Sequence, residues 1–309
     1  MRTPRSSFVF ARESTCCRLC DHIALVRDHG AWRVLLTCPR CGAREVRSKF
    51  RFRGRLVLDR AARDLRERGI LQTSHSMVVS ASALCRYALV RLEYHYFNLA
   101  KSSATFFFMG RRYHYFLHEY NLTWRNERTV EVPIFWDIVT RYRGKEILEV
   151  GNVLSHYFPA DHDVVDKYEK AVNVVNADIV DYRPSKKYDL IISISTLEHV
   201  GWDDHPRDSM KVLRAIENLK ALLAPCGKMM VSLPLGQNPN LDRLLNERIV
   251  SFSETYYLKR ISRDNRWIEA EWKEVQGSSY GQPFPAANGL VIGVINSEQQ
   301  TSSPTDLIA

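Results

Sequence analysis

The chain has 309 residues, 45% of them hydrophobic, which is enough for a substantial core and for more than one domain. The composition argues against membrane-spanning and secreted proteins. No run approaches the ~18 apolar residues of a membrane span, no apolar segment of a secretory signal is present, and seven cysteines do not form the pattern of a disulfide scaffold. We therefore expect a cytoplasmic protein with no transmembrane segment. The net charge of +9 is uneven, because residues 1–70 hold 17 of the 44 Lys and Arg but only 7 of the 35 Asp and Glu.

Four cysteines near the N-terminus have the spacing of a zinc site. Cys17 and Cys20 form one Cys-x2-Cys pair, and Cys38 and Cys41 form a second pair after 17 further residues. Each pair places two thiolates on one tight turn, and two such turns close a tetrahedral Zn²⁺ site with a hairpin from residues 22–36 between them. A closed four-cysteine site stabilises a small domain and does no chemistry, so we predict a structural zinc ribbon. The alternative is that these are free thiols.

An arginine-rich segment follows over residues 44–68. Aromatic residues Phe50 and Phe52 alternate with its cations, which predicts a strand with one basic face, and residues 58–70 have a helical pattern. Such a surface would neutralise phosphates of RNA or of another polyanion. The alternative, of equal weight, is a solvated face that is partly paired with nearby carboxylates. The basic residues are Arg44, Arg47, Lys49, Arg51, Arg53, Arg55, Arg60, Arg63, Arg66 and Arg68.

One long helix is predicted over residues 72–101, followed by a β-hairpin over residues 104–117. Aromatic residues alternate along the hairpin strands, which suits either a cap over a ligand cleft or, more commonly, ordinary core packing. Cys85 in the helix and Cys226 further on are expected to be small buried hydrophobic residues. A second helix is predicted over residues 129–142, with Pro133 in its first turn.

Short apolar runs that end in glycine or in a carboxylate dominate residues 145–200. Residues 147–150 lead to Gly151, Val164 and Val165 lead to Asp166, and Asp178 follows a further apolar pair. Residues 188–193 form a fourth run, after which comes Leu-Glu-His-Val. Buried parallel strands have this appearance, and ligands bind where the carboxyl ends of such strands meet.

In this order the motifs resemble the class I S-adenosylmethionine-dependent methyltransferases, and in particular their type 11-like members. Glu149-Val150-Gly151 is similar to the start of the family's cofactor motif, Asp166 to its ribose-binding acid and Asp178 to its adenine-contacting acid. Residues 219–233 look like its LKPGG motif and fifth strand. The resemblance implies an S-adenosylmethionine cofactor held by Glu149, Gly151, Asn152, Asp166, Asp178 and Ser195. Residues 126–128 are candidates for contact with the methionine end of the cofactor.

The resemblance implies an α/β fold with a Rossmann-like sheet that is mostly parallel and has antiparallel last strands. The zinc ribbon and the helix and hairpin insertion are additions to it. We predict domains at 1–70 (zinc ribbon and basic segment), 71–126 (helix and hairpin) and 127–296 (methyltransferase domain), with a mobile tail at 297–309.

The sequence departs from the family pattern in two ways that bear on the predicted structure. Asn152 and its neighbours stand where further glycines are usual, and Cys226 stands where glycine is usual. The connections after the first two strands are also short for parallel crossovers. We therefore expect a first helix of only two turns, stopped by Pro159, and a third strand that is vestigial or missing.

The resemblance predicts methyl transfer to a small-molecule acceptor such as a sugar, a lipid headgroup or another hydroxylated metabolite. His199 is the first candidate for a general base, with His156 and His205 next, although such a His more often packs structurally. Two alternatives stay open. One is an RNA methyltransferase that grips RNA with the basic ribbon, and the other is a nucleic-acid-binding zinc protein whose methyltransferase-like domain is inactive.

Overall fold

The computed structural model describes residues 25–28, 33–37, 44–48, 70–101 and 103–297. The chain divides into two compact units, residues 1–96 and residues 97–309. The domain boundaries predicted at residues 70, 126 and 296 stay predictions. None of the helices within the described ranges is both long enough and apolar enough to cross a membrane.

In the first unit, three short strands form an antiparallel sheet in the order β1-β2-β3. Strand β1 is Leu25–Asp28, β2 is Arg33–Thr37 and β3 is Arg44–Ser48. The hairpin of β1 and β2 confirms the one predicted between the two cysteine pairs. The four predicted zinc ligands, Cys17, Cys20, Cys38 and Cys41, lie outside the described residues. So do residues 49–69 of the basic segment and residues 298–309 of the predicted tail.

The long helix α1 is Ile70–Lys101, which confirms the helix predicted from residue 72. Cys85 is exposed on it, so the prediction that Cys85 is buried was wrong. The apolar character of a cysteine does not say which face of a helix carries it. Cys226 is exposed too, and it adopts a φ of 61°, the left-handed region that favours glycine.

The second unit contains the last residues of α1, and the predicted hairpin follows with β4 (Thr105–Phe108) and β5 (Arg111–His114). A 3-10 segment at Tyr120–Arg125 and helix α2 (Arg128–Arg141) follow. Pro133 is the sixth residue of α2 and therefore lies in its second turn, one turn later than expected. Phe106 and Phe108 are buried in the same core cluster as α2 residues, so these two aromatic residues pack in the core, whereas Phe107 is exposed.

Eight strands form the central sheet. Their bounds are β6 Ile147–Val150, β7 Asp163–Asp166, β8 Val174–Asn176, β9 Tyr188–Ile194, β10 Leu223–Pro234, β11 Glu254–Arg260, β12 Trp267–Ala270 and β13 Gly289–Asn296. The order across the sheet is β12-β11-β13-β10-β9-β6-β7-β8. The five strands from β10 to β8 are parallel, whereas β13 is antiparallel to both β10 and β11, and β12 is antiparallel to β11. This mostly parallel sheet with antiparallel last strands is consistent with the predicted Rossmann-like fold.

Apolar side chains cover both faces of the sheet. Helix α3 (Lys211–Leu222) packs on the face that carries Ile191 and Met229. Helix α2 packs on the opposite face with Ile192 and Met230. This alternation is the two-residue period of a strand that is buried on both sides. Two shorter helices, α4 (Pro239–Asn246) and α5 (Trp272–Val275), lie in the connections near the C-terminus.

The short connections shape the edge of the sheet. Strand β8 has three residues and is mostly exposed at the edge, which confirms the vestigial third strand. The prediction of a two-turn helix after β6 was wrong, because the structure has a single 3-10 turn at Leu154–His156. The Glu149 carboxylate accepts the amide N–H groups of Val153 and Leu154 at 2.8 Å each, which holds this stretch as a tight loop.

The buried guanidinium of Arg260 joins three loops of the second unit. It is 4% exposed and donates to the backbone carbonyls of Ser262, Arg263, Arg125 and Pro285. A lysine has a single ammonium and cannot reproduce this planar set of donors.

We predict that Arg260→Lys lowers the free energy of unfolding by about 2–4 kcal/mol, because several buried carbonyls lose a charged donor. Denaturant unfolding followed by circular dichroism measures this change. The matched control is Arg266→Lys, since Arg266 pairs with Asp264 at an exposed site and should change stability by only about 0–1 kcal/mol. Equal effects of the two variants would contradict the role of Arg260.

Candidate functional site

A cavity of about 300 Å³ lies at the carboxyl ends of β6, β7 and β9. From β6 the chain runs outward through β7 and β8, and it then crosses back to β9 on the other side of β6. The gap between β6 and β9 is therefore a topological switch point, where open α/β sheets bind their ligands.

Gly151 opens this gap. It follows β6 with a φ of 85°, and a Cβ at this position would overlap Oγ1 of Thr196. The strand ends come this close only because residue 151 has no side chain. Both Gly151 and Thr196 line the cavity.

Asp166 lines the cavity at the end of β7. Its Oδ1 accepts the amide N–H groups of Tyr168 at 2.8 Å and Glu169 at 2.7 Å, and its Oδ2 accepts that of Asn152 at 3.2 Å. These bonds hold the carboxylate at the cleft edge. A carboxylate has about four lone-pair positions, so it can still accept a ligand hydroxyl.

Asp178 lines the other end of the cavity, within an ion-pair network. Its Oδ2 lies 2.6 Å from Lys211 Nζ and 3.0 Å from Lys167 Nζ, and both lysines also pair with Asp204. Burial opposes ionisation of Asp178, but the two lysines outweigh it and hold the pKa of Asp178 below its usual range. Hydrogen bonds from the same lysines lower the pKa of Asp204 to about 2.

The cavity lining is negatively charged overall. Four carboxylates line it and two lysines offset them, while apolar side chains complete the walls. A ligand with a flat apolar part and a net positive charge complements such walls. The carboxylates are Asp166, Asp178, Asp203 and Asp204; the lysines are Lys167 and Lys211; the apolar residues include Val165, Ile179 and Val200.

His199 stands at the rim and pairs with Asp203. Its Nδ1 lies 2.7 Å from Asp203 Oδ2, and its Nε2 lies 3.2 Å from Gln237 Nε2. A His oriented through Nδ1 by a carboxylate presents Nε2 for proton transfer. The other candidates do not line the cavity: His156 stacks on Tyr120 with ring centroids 4.2 Å apart, and His205 is exposed.

The structure places the remaining predicted cofactor residues behind the cavity wall. Glu149 is buried and does not line the cavity; besides its two loop amides it contacts His162 Nε2 at 2.8 Å. Asn152 contributes its amide to Asp166 and its side chain to Glu169. Ser195 is buried and donates from Oγ to Glu131 Oε1 at 2.5 Å. Of the six predicted residues, Gly151, Asp166 and Asp178 line the cavity.

Beside the cavity lies a buried acidic cluster that sequence reasoning found only in part. Its members are Glu127, Arg128, Glu131 and Glu198, of which Glu127 and Arg128 belong to the stretch 126–128 that was predicted to contact the cofactor. Arg128 pairs with Glu131, and burial raises the pKa of both Glu127 and Glu198. Oδ1 of Asn126 accepts the amide N–H of Arg128 at 3.1 Å, next to the start of α2. The spacing of Arg128 and Glu131 on one helix face was the only sequence signal for this pair.

Comparisons with known proteins found similarity in solved structures alone. No family model and no curated protein matches the chain. One similar structure is the N-methyltransferase NodS from Bradyrhizobium japonicum with S-adenosyl-L-homocysteine, at 14% identity and a TM-score of 0.31, covering 55% of this chain and 91% of that one. Another is the sugar N-methyltransferase KedS8 from Streptoalloteichus, at 13% identity and a TM-score of 0.30, covering 55% and 88%.

A third is an S-adenosylmethionine-dependent methyltransferase from Thermotoga maritima, described as a possible histamine N-methyltransferase. It has 14% identity and a TM-score of 0.32 and covers 56% of this chain and 97% of that one. At these values the function of the present chain has to be inferred from its own residues.

We predict that Glu149→Ala lowers the free energy of unfolding by about 3–5 kcal/mol, because two amide donors and the His162 ring lose a buried charged partner. Chemical denaturation measures the loss. The control is Glu146→Ala, since the Glu146 side chain is exposed and pairs with Lys186 at the surface, where a change of only about 0–1 kcal/mol is expected. A small change in Glu149→Ala would show that the loop holds without this carboxylate.

Proposed function

We propose that the cavity binds S-adenosylmethionine and that the protein is an enzyme that transfers its methyl group to a small-molecule acceptor. The observation that carries the proposal is the position of Asp166 and Asp178 on two sides of one cavity at the switch point of the sheet. Acidic side chains at these places suit the hydroxyl and amino donors of an adenosine.

The residues of the cavity fit this molecule. Asp166 would accept the ribose hydroxyls, and Asp178 would accept the adenine amino group through Oδ1, which takes only the Val180 amide at 3.2 Å among the hydrogen bonds described. The apolar walls would hold the adenine ring. The excess of carboxylates would favour a sulfonium cation, and the volume of about 300 Å³ lies at the lower end of the range for small-molecule sites.

A bound sulfonium supplies an activated methyl group, so the protein has mainly to orient the acceptor and to handle its proton. His199 is our candidate for the residue that takes the proton from the methyl acceptor. With Nδ1–H donating to Asp203, Nε2 accepts the side-chain amide N–H of Gln237 at 3.2 Å, and the acceptor would have to displace that amide to give its proton to Nε2. The side chain lies at the rim of the cavity, where the acceptor would approach.

The acceptor class has alternatives within the proposal. A sugar, a lipid headgroup or another small metabolite would enter a site of this size. An RNA acceptor would depend on the basic segment at residues 44–68, of which the structure describes only Arg44–Ser48. A steep loss of RNA affinity with rising salt, flattened by Arg-to-Ala changes at Arg51, Arg53 and Arg55, would favour RNA. If the methyltransferase-like domain is inactive, the protein should fail to bind the cofactor.

We predict that the wild-type protein binds S-adenosylhomocysteine in isothermal titration calorimetry, and that Asp166→Asn and Asp178→Asn each weaken binding at least about tenfold through loss of a charged acceptor. The matched control is Glu217→Gln, an exposed carboxylate on the outer face of α3 that should leave binding unchanged. Thermal melting verifies that each variant is folded. A folded wild-type protein that binds neither the cofactor nor its demethylated product would refute the proposal.

We also propose that Cys17, Cys20, Cys38 and Cys41 hold a structural zinc ion. Support comes from the spacing of the two pairs and from the β1–β2 hairpin between them, as in a zinc ribbon. The described ranges do not include these four cysteines, and within those ranges no group of three or more His, Cys, Asp or Glu side chains could hold a metal ion.

We expect elemental analysis to find about one zinc per chain in the purified protein, because four thiolates complete a tetrahedral site. Cys38→Ser should lose the metal and destabilise the first unit, whereas Cys85→Ser, at an exposed cysteine of α1, should retain it. Zinc-free wild-type protein in which Cys17, Cys20, Cys38 and Cys41 all react with a thiol reagent would contradict the site.

A further inference from the structure

A second cavity, also of about 300 Å³, lies beside the core cluster that contains the buried side chains of α3. The end of α4, the loop that follows it, strand β11 and the start of α5 line this cavity. It shares no lining residue with the candidate cofactor site. It is therefore a separate site, to which the proposed function assigns no role.

Aromatic side chains form much of the lining. Tyr257 and Trp272 are half-buried, and their ring centroids lie 5.5 Å apart with the ring planes inclined at 45°, so the two rings do not stack flat on each other. The ring of Phe252 lies against Gly293 of β13, where a Cβ would stand 2.5 Å from three of the ring carbons. The absence of a side chain at residue 293 thus gives the Phe252 ring its place on the sheet. These three rings offer apolar contact to a flat ligand.

Arg248 is the one charged side chain among the described residues that line this cavity. It is exposed, and its guanidinium has no ion-pair or hydrogen-bond partner in the described part of the chain. The carboxylates next to the lining segments bind elsewhere, since Glu247 pairs with Arg243 at 2.9 Å and Glu254 accepts the Tyr256 hydroxyl at 2.6 Å. The lining is therefore positively charged, in contrast to that of the candidate cofactor site, and its guanidinium is available to an anion.

The uncharged polar side chains of the lining are also available to a ligand. The Asn246 amide and the hydroxyls of Ser251, Thr255 and Tyr257 make no hydrogen bond to any residue that the structure describes. Each of these groups can donate a hydrogen bond to a carboxylate oxygen. Together with Arg248 they provide several donors around aromatic walls, which is the usual composition of a site for a small polar aromatic molecule.

We propose that this cavity binds an aromatic carboxylate, a ligand with a flat ring and one carboxylate group. The guanidinium of Arg248 would hold the carboxylate through two parallel N–H···O bonds, the arrangement in which these two groups match. The rings of Tyr257 and Trp272 would contact the ring of the ligand. This inference goes beyond the proposed function and does not depend on it, because the two sites have no lining residue in common.

Charge and shape favour this class of ligand over other anions. One guanidinium balances the single negative charge of a carboxylate, whereas a phosphate monoester carries about 1.5–2 negative charges at pH 7. An aliphatic acid would bind Arg248 but would leave the aromatic walls without a flat partner. A volume of about 300 Å³ suits a ligand of one or two rings.

The experiment titrates the full chain with indole-3-acetate and with indole-3-acetamide, a probe of nearly the same shape in which a neutral amide replaces the carboxylate. Acetate is the third probe and supplies a carboxylate without a ring. Isothermal titration calorimetry at pH 7 measures the three affinities. We expect indole-3-acetate to bind at least about tenfold more tightly than either of the other two, because it alone uses both the guanidinium and the aromatic walls.

Arg248→Gln tests where the carboxylate binds. It should weaken indole-3-acetate at least about tenfold and leave indole-3-acetamide unchanged, so that the variant no longer distinguishes the two probes. The matched control is Arg143→Gln, since Arg143 is also exposed, also has no ion-pair partner among the described residues and does not line the cavity. This control should match the wild type. Both positions are exposed, so both variants should fold, and thermal melting verifies it.

A further titration separates this site from the candidate cofactor site. Saturation with S-adenosylhomocysteine should leave the affinity for indole-3-acetate unchanged, and mutually exclusive binding would overturn the assignment to this cavity. So would undiminished binding of indole-3-acetate to folded Arg248→Gln. Wild-type protein that binds indole-3-acetate no more tightly than the amide or acetate would overturn the proposed ligand class. Failure of S-adenosylhomocysteine to bind would refute the proposed function and leave this inference in place.

Discussion

The close approach of Gly151 to Thr196 is the constraint on which the candidate site depends. It brings the end of β6 against the end of β9, the two strands between which the direction of the chain reverses across the sheet. Because the strands are parallel and in register, with Val150 opposite both Ser193 and Val165, their carboxyl ends reach one edge together. The side chains that follow each strand are thereby brought to one cavity.

The loop after β6 is held by side-chain hydrogen bonds and not by a series of glycines or by a long helix. Glu149 takes up two amide N–H groups of the loop and the His162 ring, and Asp166 takes up the amide of Asn152. Buried amides need acceptors when no helix supplies them. A carboxylate at the end of each of the two strands does this here, so a connection too short for a helix still keeps a fixed shape.

The parts of the site that sequence could predict are those that depend on strand order alone. Asp166 follows an apolar run directly and Asp178 follows one after two residues, so their positions at the cleft follow from where each strand ends. Glu149 lies on a strand whose residues are all buried. The partners of its carboxylate are set by how residues 153, 154 and 162 fold. Ser195 was predicted at the cofactor, but Glu131, 64 residues away, takes its hydroxyl. No local sequence pattern predicts that pairing. For the same reason, the sequence indicated only residues 127 and 128 of the acidic cluster.

The charged side chains at the cavity rim and those of the buried acidic cluster are balanced in different ways. At the rim, Asp178 and Asp204 share two lysines, and the resulting network is open to solvent, so its charges are partly screened. Such a rim can exchange partners at modest cost. In the cluster, three carboxyl groups are almost completely buried with the Arg128 guanidinium among them, and the charge of the buried Arg260 also acts on Glu127, so an ionised carboxylate there is far more costly than at the rim. The rim therefore suits a donor that must enter and leave at each turnover.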